Sequence, residues 1–223
     1  MMALTRSDID TWVFDLDNTL YPATSNLFPQ ISARMGQFIA DRFGLGDEAA
    51  YALQKQLFRS HGTTMRGLML EHGVDPHHFM DFVHDIDLTS LGPATELGAA
   101  LDALPGRKLV FTNGSRRHAE RVLAQLGLAG HMTGIFDIAD ADFIPKPHPA
   151  GYRTLLERYA VEPKRAAMVE DMARNLMPAA ALGMVTVLVH NDSDWAQDGA
   201  EGDWVQHRTD DLAGWLAALP AGV

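Results

Sequence analysis

Short apolar runs closed off by polar or glycine-containing turns recur along this chain, at Trp12–Phe14, Lys108–Phe111, Gly134–Ile138, Ala166–Val169 and Met184–Val189. Each has the length of a strand and is rich in β-branched or aromatic residues. From the second run onward, stretches with helical spacing lie between them, at Arg116–Leu126, Pro149–Tyr159 and Ala173–Leu182. Strands alternating with helices predict an α/β fold whose parallel sheet is covered on both faces.

The rhythm breaks between the first two strands. Residues from about Ala23 to Leu91 read as consecutive helices, with Leu27, Ile31, Met35, Phe38 and Ile39 at helical spacing, then Tyr51–Phe58, Thr64–Leu70 and Pro76–Val83. Gly44-Leu-Gly46, His61-Gly62 and Gly73-Val-Asp-Pro76 separate them. That length exceeds a single crossover and predicts an all-helical domain over 23–91, inserted into a core domain made of 1–22 and 92–223. Pro93–Leu104 returns to the core as a helix, and the Asp- and Gly-rich tail after His190 reads as loop until a short helix near Asp210–Leu219.

Composition narrows the function. Eighteen basic against twenty-nine acidic residues leave a net charge of −11, which argues against a nucleic-acid polymer or an anionic membrane as partner. An anionic substrate must then be caught by a local basic site. With no cysteine, thiol nucleophiles, disulfides and Cys-based metal sites are excluded. The first ten residues carry no apolar signal-peptide core and no window approaches a membrane span, so the expected location is the cytoplasm.

The candidate chemistry sits where predicted strands end. Trp12-Val-Phe-Asp15-Leu-Asp17 delivers two carboxylates one residue apart, and alternation sends both the same way. Such crowding is costly unless a cation or a shared proton relieves it, which suits a hard divalent metal beside a nucleophilic or acid–base carboxylate. Phe111-Thr112-Asn113-Gly114-Ser115 ends a strand in a hydroxyl and a tight turn whose amides face inward, a cradle for phosphate at a helix start. Pro145-Lys146-Pro147 places one lysine on a stiff backbone, as if to hold an ammonium near negative charge. Val169-Glu170-Asp171 ends another strand in paired acids, with Asn175 a helical turn later.

These four fragments resemble motifs I to IV of the haloacid dehalogenase-like hydrolase superfamily, and the resemblance spans essentially the whole chain. It implies a Rossmann-like core with a small α-helical cap. The segments His61–Met69, Val83–Asp87, Phe111–His118 and Glu170–Asn175 are more narrowly similar to bacterial pyrimidine 5′-nucleotidases. The implied reaction is Mg²⁺-dependent hydrolysis of a small-molecule phosphomonoester. Asp15 would form an aspartyl-phosphate, and Asp17 would protonate the leaving alkoxide and then activate water. Asp15, the carbonyl of Asp17 and Asp171 would hold the metal, with Glu170 bound directly or through water. Thr112 and the Asn113 amide would bind phosphoryl oxygens, Lys146 would neutralise them, and Asn175 would orient the metal shell. Thr19 would support the first loop.

An acid at position 17 argues against a dehalogenase, since halide leaves without a proton. A sugar-phosphate phosphatase or phosphomutase stays open because only the cap selects the substrate. So does a non-catalytic phospho-receiver module, which the helical insertion disfavours. Substrate contacts from the cap are expected from His61, Thr63, Thr64 and Arg66. Tyr21 would stack on a base or pack the hinge, and His84 and Asp85 would join cap to core. Arg116 and Arg117 would draw in anions or stay solvated. Trp195, Trp204 and Trp215 would pack the tail.

Overall fold

The run Trp12-Val13-Phe14 is apolar on both sides of its pleat, which suits only a strand covered on both faces. In the computed structural model, which describes residues 4–191, 196 and 198–221, that strand is central to the sheet. The strands are β1 (Thr11–Phe14), β2 (Arg107–Phe111), β3 (Gly134–Phe136), β4 (Ala166–Glu170), β5 (Val185–Val189) and β6 (His207–Thr209). They form one parallel sheet in the order β3-β2-β1-β4-β5-β6. Trp12 and Phe14 join an apolar cluster on one face with Val110, Ala167 and Val169. Val13 joins a second cluster with Leu109, Phe111 and Met168.

Around the sheet lie α5 (Thr95–Asp102), α6 (Arg116–Leu126), α7 (Pro149–Arg158), α8 (Ala173–Ala181) and α9 (Leu212–Ala218). The α/β Rossmann-like architecture expected from the alternation is what the chain adopts. Two details differ. The tail contributes β6, which pairs with β5 although its sequence, His-Arg-Thr, has no apolar signal. β3 stops at Phe136 instead of Ile138, because Asp137 leaves the ladder. Its carboxylate accepts from the amides of Arg116 (2.7 Å) and Asp140 (3.0 Å). Trp204 and Trp215 do pack against the two apolar clusters, and Trp195 lies outside the described residues. Among the described residues no helix is long and apolar enough to cross a membrane.

Between β1 and α5 the chain makes α1 (Leu27–Phe43), α2 (Asp47–His61), α3 (Thr64–His72) and α4 (Pro76–Val83). Their starts are written in the sequence: Thr63 caps α3 by accepting from the Arg66 amide, and Asp75 caps α4 ahead of Pro76. Phe38 packs edge-on against Phe79 and Phe82, and the apolar cluster of Trp12 and Phe14 continues through Ile31, Leu57 and Phe79. The two strands of chain joining these helices to the sheet run side by side, Ser90 Oγ donating to the Ser25 carbonyl. Arg121 of α6 grips the return segment at the carbonyls of His84 (2.7 Å) and Ile86 (2.9 Å).

The register decides where the chemistry goes. Phe14 pairs with Val110 on one side and Val169 on the other. Asp15, Thr112 and Glu170-Asp171 therefore leave the sheet along the same edge, at its carboxyl end. β1 lies between strands whose connections run in opposite directions, the switch point at which open α/β sheets bind ligands.

Candidate active site

Three of the carboxylates converge. Asp15, Glu170 and Asp171 are buried and each offers an oxygen within 4.8 Å of the others. One cation answers them from within the protein. Lys146 Nζ donates to Asp15 Oδ1 (2.6 Å), Glu170 Oε2 (2.6 Å) and the Phe111 carbonyl (2.8 Å), so all three of its donors are used. Its backbone is held as well: the Asn113 carboxamide accepts from the Lys146 amide at 2.8 Å and donates to its carbonyl at 3.4 Å. Prolines at 145 and 147 account for the stiffness of the loop, but this pair of bonds fixes its position.

The electrostatics of the cluster are lopsided. Burial, reinforced by Glu170, pushes Asp15 up to about 7 even though Lys146 pulls the other way. Burial likewise raises Asp171 well above the ordinary carboxylate range, with Glu170 and Asp15 adding to the effect. For Lys146 burial opposes the charge, but Asp15 and Glu170 outweigh it and hold the ammonium protonated. One ammonium thus answers a crowded set of carboxyl groups whose charged forms burial and mutual repulsion disfavour, a strain that a divalent cation would relieve. Asn175 adds a buried Oδ1 with no hydrogen-bond partner, and it lines the same cavity. An all-oxygen, acid-rich donor set of this kind fits a hard cation such as Mg²⁺. Asn191, which sequence reasoning passed over, fastens Asp171 through a 2.8 Å bond to Oδ2.

Asp17 stands apart from that cluster. Its Oδ1 accepts from the Tyr21 hydroxyl (2.5 Å) and from His118 Nε2 (2.8 Å). Burial alone would raise its pKa, but the His118 ring and the two hydrogen bonds prevail and hold it at about 2. His118 is fully buried and stacks on His84, ring centroids 4.3 Å apart and planes 14° off parallel. Burial and the neighbouring His118 keep His84 down at about 3, neutral at physiological pH. His84 in turn bonds Ser115 at 3.0 Å, which joins the helical segment to the start of α6.

A cavity of about 230 Å³ opens over these groups. Its floor holds Asp15, Asp17, Thr112, Gly114, Lys146 and Asp171. Its roof comes from α1, α2 and α4 and is mostly apolar, with Phe28, Met35, Phe58, Phe79 and Met80. Arg174 lines it from α8, its guanidinium 5.7 Å from the centre of the Phe58 ring. Gln54 lines it from α2.

The residues expected at the site divide into three groups. Asp15, Asp17, Lys146, Glu170, Asp171, Thr112, Asn113 and Asn175 all line the cavity, and so do Thr63 and Thr64. The Asn113 carboxamide, however, is spent on Lys146, and Thr112 Oγ1 accepts from the Gly114 amide at 2.8 Å. His61 and Arg66 do not line it. His61 pairs with Glu71 across the α2–α3 turn, and Arg66 Nη1 donates to the Phe143 carbonyl at 3.1 Å, which ties α3 to the loop carrying Lys146. Helical phase turns both away from the cavity, whereas Gly-flanked position alone had pointed them inward. Tyr21 neither stacks on open space nor serves only as packing, since its hydroxyl holds Asp17. Thr19 touches the first acid itself, donating to Asp15 Oδ2 at 3.1 Å. Arg116 is taken up by Asp140 and Arg117 lies beside Asp81. Asp85 pairs with Arg34 of α1, while His84 makes the bridge to the core.

Known proteins bear on this geometry. A family model described as haloacid dehalogenase-like hydrolase matches residues 9–183. "Phosphate metabolism protein 8" of Saccharomyces cerevisiae is 27% identical over 191 residues, covering 78% of this chain and 60% of that protein. "Enolase-phosphatase E1" of Frankia alni is 40% identical over 85 residues, 37% of this chain and 36% of its own length. The chain therefore spans less than two thirds of either relative. Among solved structures, a HAD phosphatase from Thermococcus onnurineus superposes with a TM-score of 0.64 at 16% identity, covering 93% of this chain and 96% of the other. A 2-haloacid dehalogenase from Pseudomonas syringae gives 0.57 at 20% identity, with the same coverage of 93% and 96%. Those two likenesses are likenesses of fold.

Proposed function

We propose that this chain, which belongs to the haloacid dehalogenase-like hydrolase family, is a phosphatase that hydrolyses pyrimidine nucleoside 5′-monophosphates through Asp15. The observation that carries the chemistry is the pairing of Lys146 Nζ with Asp15 and Glu170, each at 2.6 Å, inside a three-carboxylate cluster with Asp17 alongside. A buried ammonium bonded to the nucleophile neutralises negative charge arriving with a phosphoryl group. In this reading Asp15 attacks phosphorus in line, while Asp17, ionised in the free protein, takes up a proton as the anionic phosphate enters the site and gives it to the departing alkoxide. Asp17 then takes a proton from the water that cleaves the aspartyl-phosphate. Thr112 and the amide of Asn113 steady the phosphoryl oxygens. Mg²⁺, held by Asp15, Asp171 and the Asp17 carbonyl with Glu170 directly or through water, would screen the nucleophile from the anionic phosphate.

In the same reading residues 23–91 act as a cap domain on the core formed by 1–22 and 92–223, closing over the substrate to exclude water. The apolar roof supports a flat, weakly polar leaving group. Phe28, Phe58 and Phe79 suit a nucleobase, whereas a sugar phosphate would leave its hydroxyls facing carbon. Thr63 and Arg174 offer donors to ribose or base oxygens, and the unpartnered Oε1 of Gln54 offers an acceptor. Phosphate release from UMP, CMP, dTMP, AMP, GMP and common sugar phosphates, with Mg²⁺ and with EDTA, tests the proposal. The expected result is the highest kcat/KM on pyrimidine nucleotides and no turnover in EDTA. A sugar phosphate preferred over every nucleotide would overturn the substrate assignment, and autophosphorylation without turnover would overturn the catalytic one.

A further inference from the structure

We propose that Tyr21 and His118 are positioning residues that fix which oxygen of Asp17 handles the proton. Both donate to Oδ1, which leaves Oδ2 free to face the substrate. The inference deepens the phosphatase reading above and rests on it.

The donors are close, 2.5 Å for the Tyr21 hydroxyl and 2.8 Å for His118 Nε2, and they arrive from different elements. Tyr21 lies just past the first loop, and His118 is in the first turn of α6. Oδ1 accepts both bonds whether the carboxyl group is ionised or protonated. With its acceptor capacity engaged, the proton of a neutral Asp17 has its place on Oδ2. Oδ2 lies on the Gly114 side, 3.6 Å from where a Cβ on Gly114 would sit, and Gly114 lines the cavity. A proton on Oδ1 would point at His118 and be useless to a leaving group.

His118 has no other evident task. It is fully buried and does not line the cavity, so it touches no substrate. Its Nδ1 is buried without a hydrogen-bond partner, a cost that an apolar residue of similar size would avoid. The ring is kept in place by the stacked His84, itself bonded to Ser115. Tyr21 is 4% exposed, and only its hydroxyl reaches the site.

The proton balance is simple. As the Asp15–phosphorus bond forms and the bond to the leaving oxygen breaks, the Oδ2–H proton moves to that oxygen. In the second step the water oxygen bonds to phosphorus, its proton passes to Oδ2, and Asp15 is released.

The test compares leaving groups. An alkoxide such as the ribose 5′-oxygen of UMP needs a proton to depart, whereas p-nitrophenolate does not. Because kcat/KM reports only the steps up to loss of the leaving group, it isolates the acid role. Tyr21→Phe and, separately, His118→Leu are each expected to lower kcat/KM for UMP by about tenfold, and for p-nitrophenyl phosphate by no more than about twofold. A graded set of aryl phosphates should then show steeper dependence on leaving-group pKa in the variants than in the parent. Equal losses on UMP and p-nitrophenyl phosphate, or no loss on UMP in the parent-like Tyr21→Phe protein, would overturn the clamp while leaving the phosphatase reading intact. Failure of the parent protein to release phosphate from either ester would instead bring down the reading on which it rests. Tyr21→Phe removes one oxygen and decides the matter even if His118→Leu does not fold.

Discussion

Replacing Lys146 with methionine keeps most of the volume of a fully buried side chain and deletes its charge. Two buried ion pairs, each 2.6 Å long, lose their cation, and Asp15 and Glu170 are left facing one another and Asp171. Breaking a buried pair from one side costs about 3–5 kcal/mol, because the orphaned charge must be neutralised or solvated. That is a large fraction of the roughly 5–15 kcal/mol that holds a domain together. The cost must depend on pH, and its sign follows from Asp15. Burial, with Glu170 beside it, pushes this carboxyl up to about 7 from its ordinary 3.8. A group raised in this way favours folding below its unfolded pKa and loses that contribution as pH climbs through the folded one. Lysine pulls Asp15 downward, so Lys146→Met moves the folded value higher still. The destabilisation should be largest at pH 8, shrink as pH falls toward about 7 by up to about 1.4 kcal/mol per unit for each extra proton held by the folded variant, and level off below that, where parent and variant both carry the Asp15 proton. Urea denaturation of parent and variant in EDTA, at pH 8, 7, 6 and 5, measures it directly. A penalty under about 1 kcal/mol at pH 8, or one independent of pH, would refute the account of Lys146 as the internal counter-ion of the cluster.

Asp15→Asn should abolish phosphate release while shifting the melting temperature by only a few degrees, since Lys146 keeps Glu170 and the Phe111 carbonyl as partners; activity and thermal melts on one sample check both halves. Metal binding should compete with the Asp15 proton, so the apparent Mg²⁺ affinity measured by calorimetry should fall as pH drops below about 7 and level off above it. Gly106→Ala should destabilise by about 3 kcal/mol or more, because φ is +76° there and a Cβ would drive into the Asp10 carbonyl; denaturant titration reads it, and a loss below about 1 kcal/mol would contradict the close approach of those two segments.

What the chain disclosed in advance was whatever depends on neighbours in sequence. Strand ends bearing Asp15, Thr112 and Glu170-Asp171 are legible because an apolar run must stop where a carboxylate begins, and parallel pairing carries those ends to one edge. β6 was not legible: three polar residues at a sheet edge have one neighbour and need no apolar face. His118 lay within a segment already singled out, yet its partner is 101 residues away, and no local pattern marks a histidine that turns inward. The placement of His61 and Arg66 was hidden for a similar reason. Glycines mark where a helix begins, whereas the direction of a side chain depends on how α2 and α3 pack, which leaves Glu71 and the Phe143 carbonyl as the nearest partners. Thr63 and Thr64, at the very start of α3, line the cavity.

The central place of β1 also governs the order in which the molecule is made. Thr11 pairs with Arg107 on one side and with Ala166 on the other, so this strand, made before either neighbour, waits for both. Contacts so distant in sequence close late and slowly, while α1 to α4, stabilised mainly by near neighbours, can form beforehand. During that interval Trp12, Val13 and Phe14 have no sheet to enter, and a bare apolar strand is the segment most prone to pair with another chain. The acids share the delay: Asp15 meets Glu170 only after β4 has docked, so a nascent chain can form its helical segment before its carboxylate cluster is assembled.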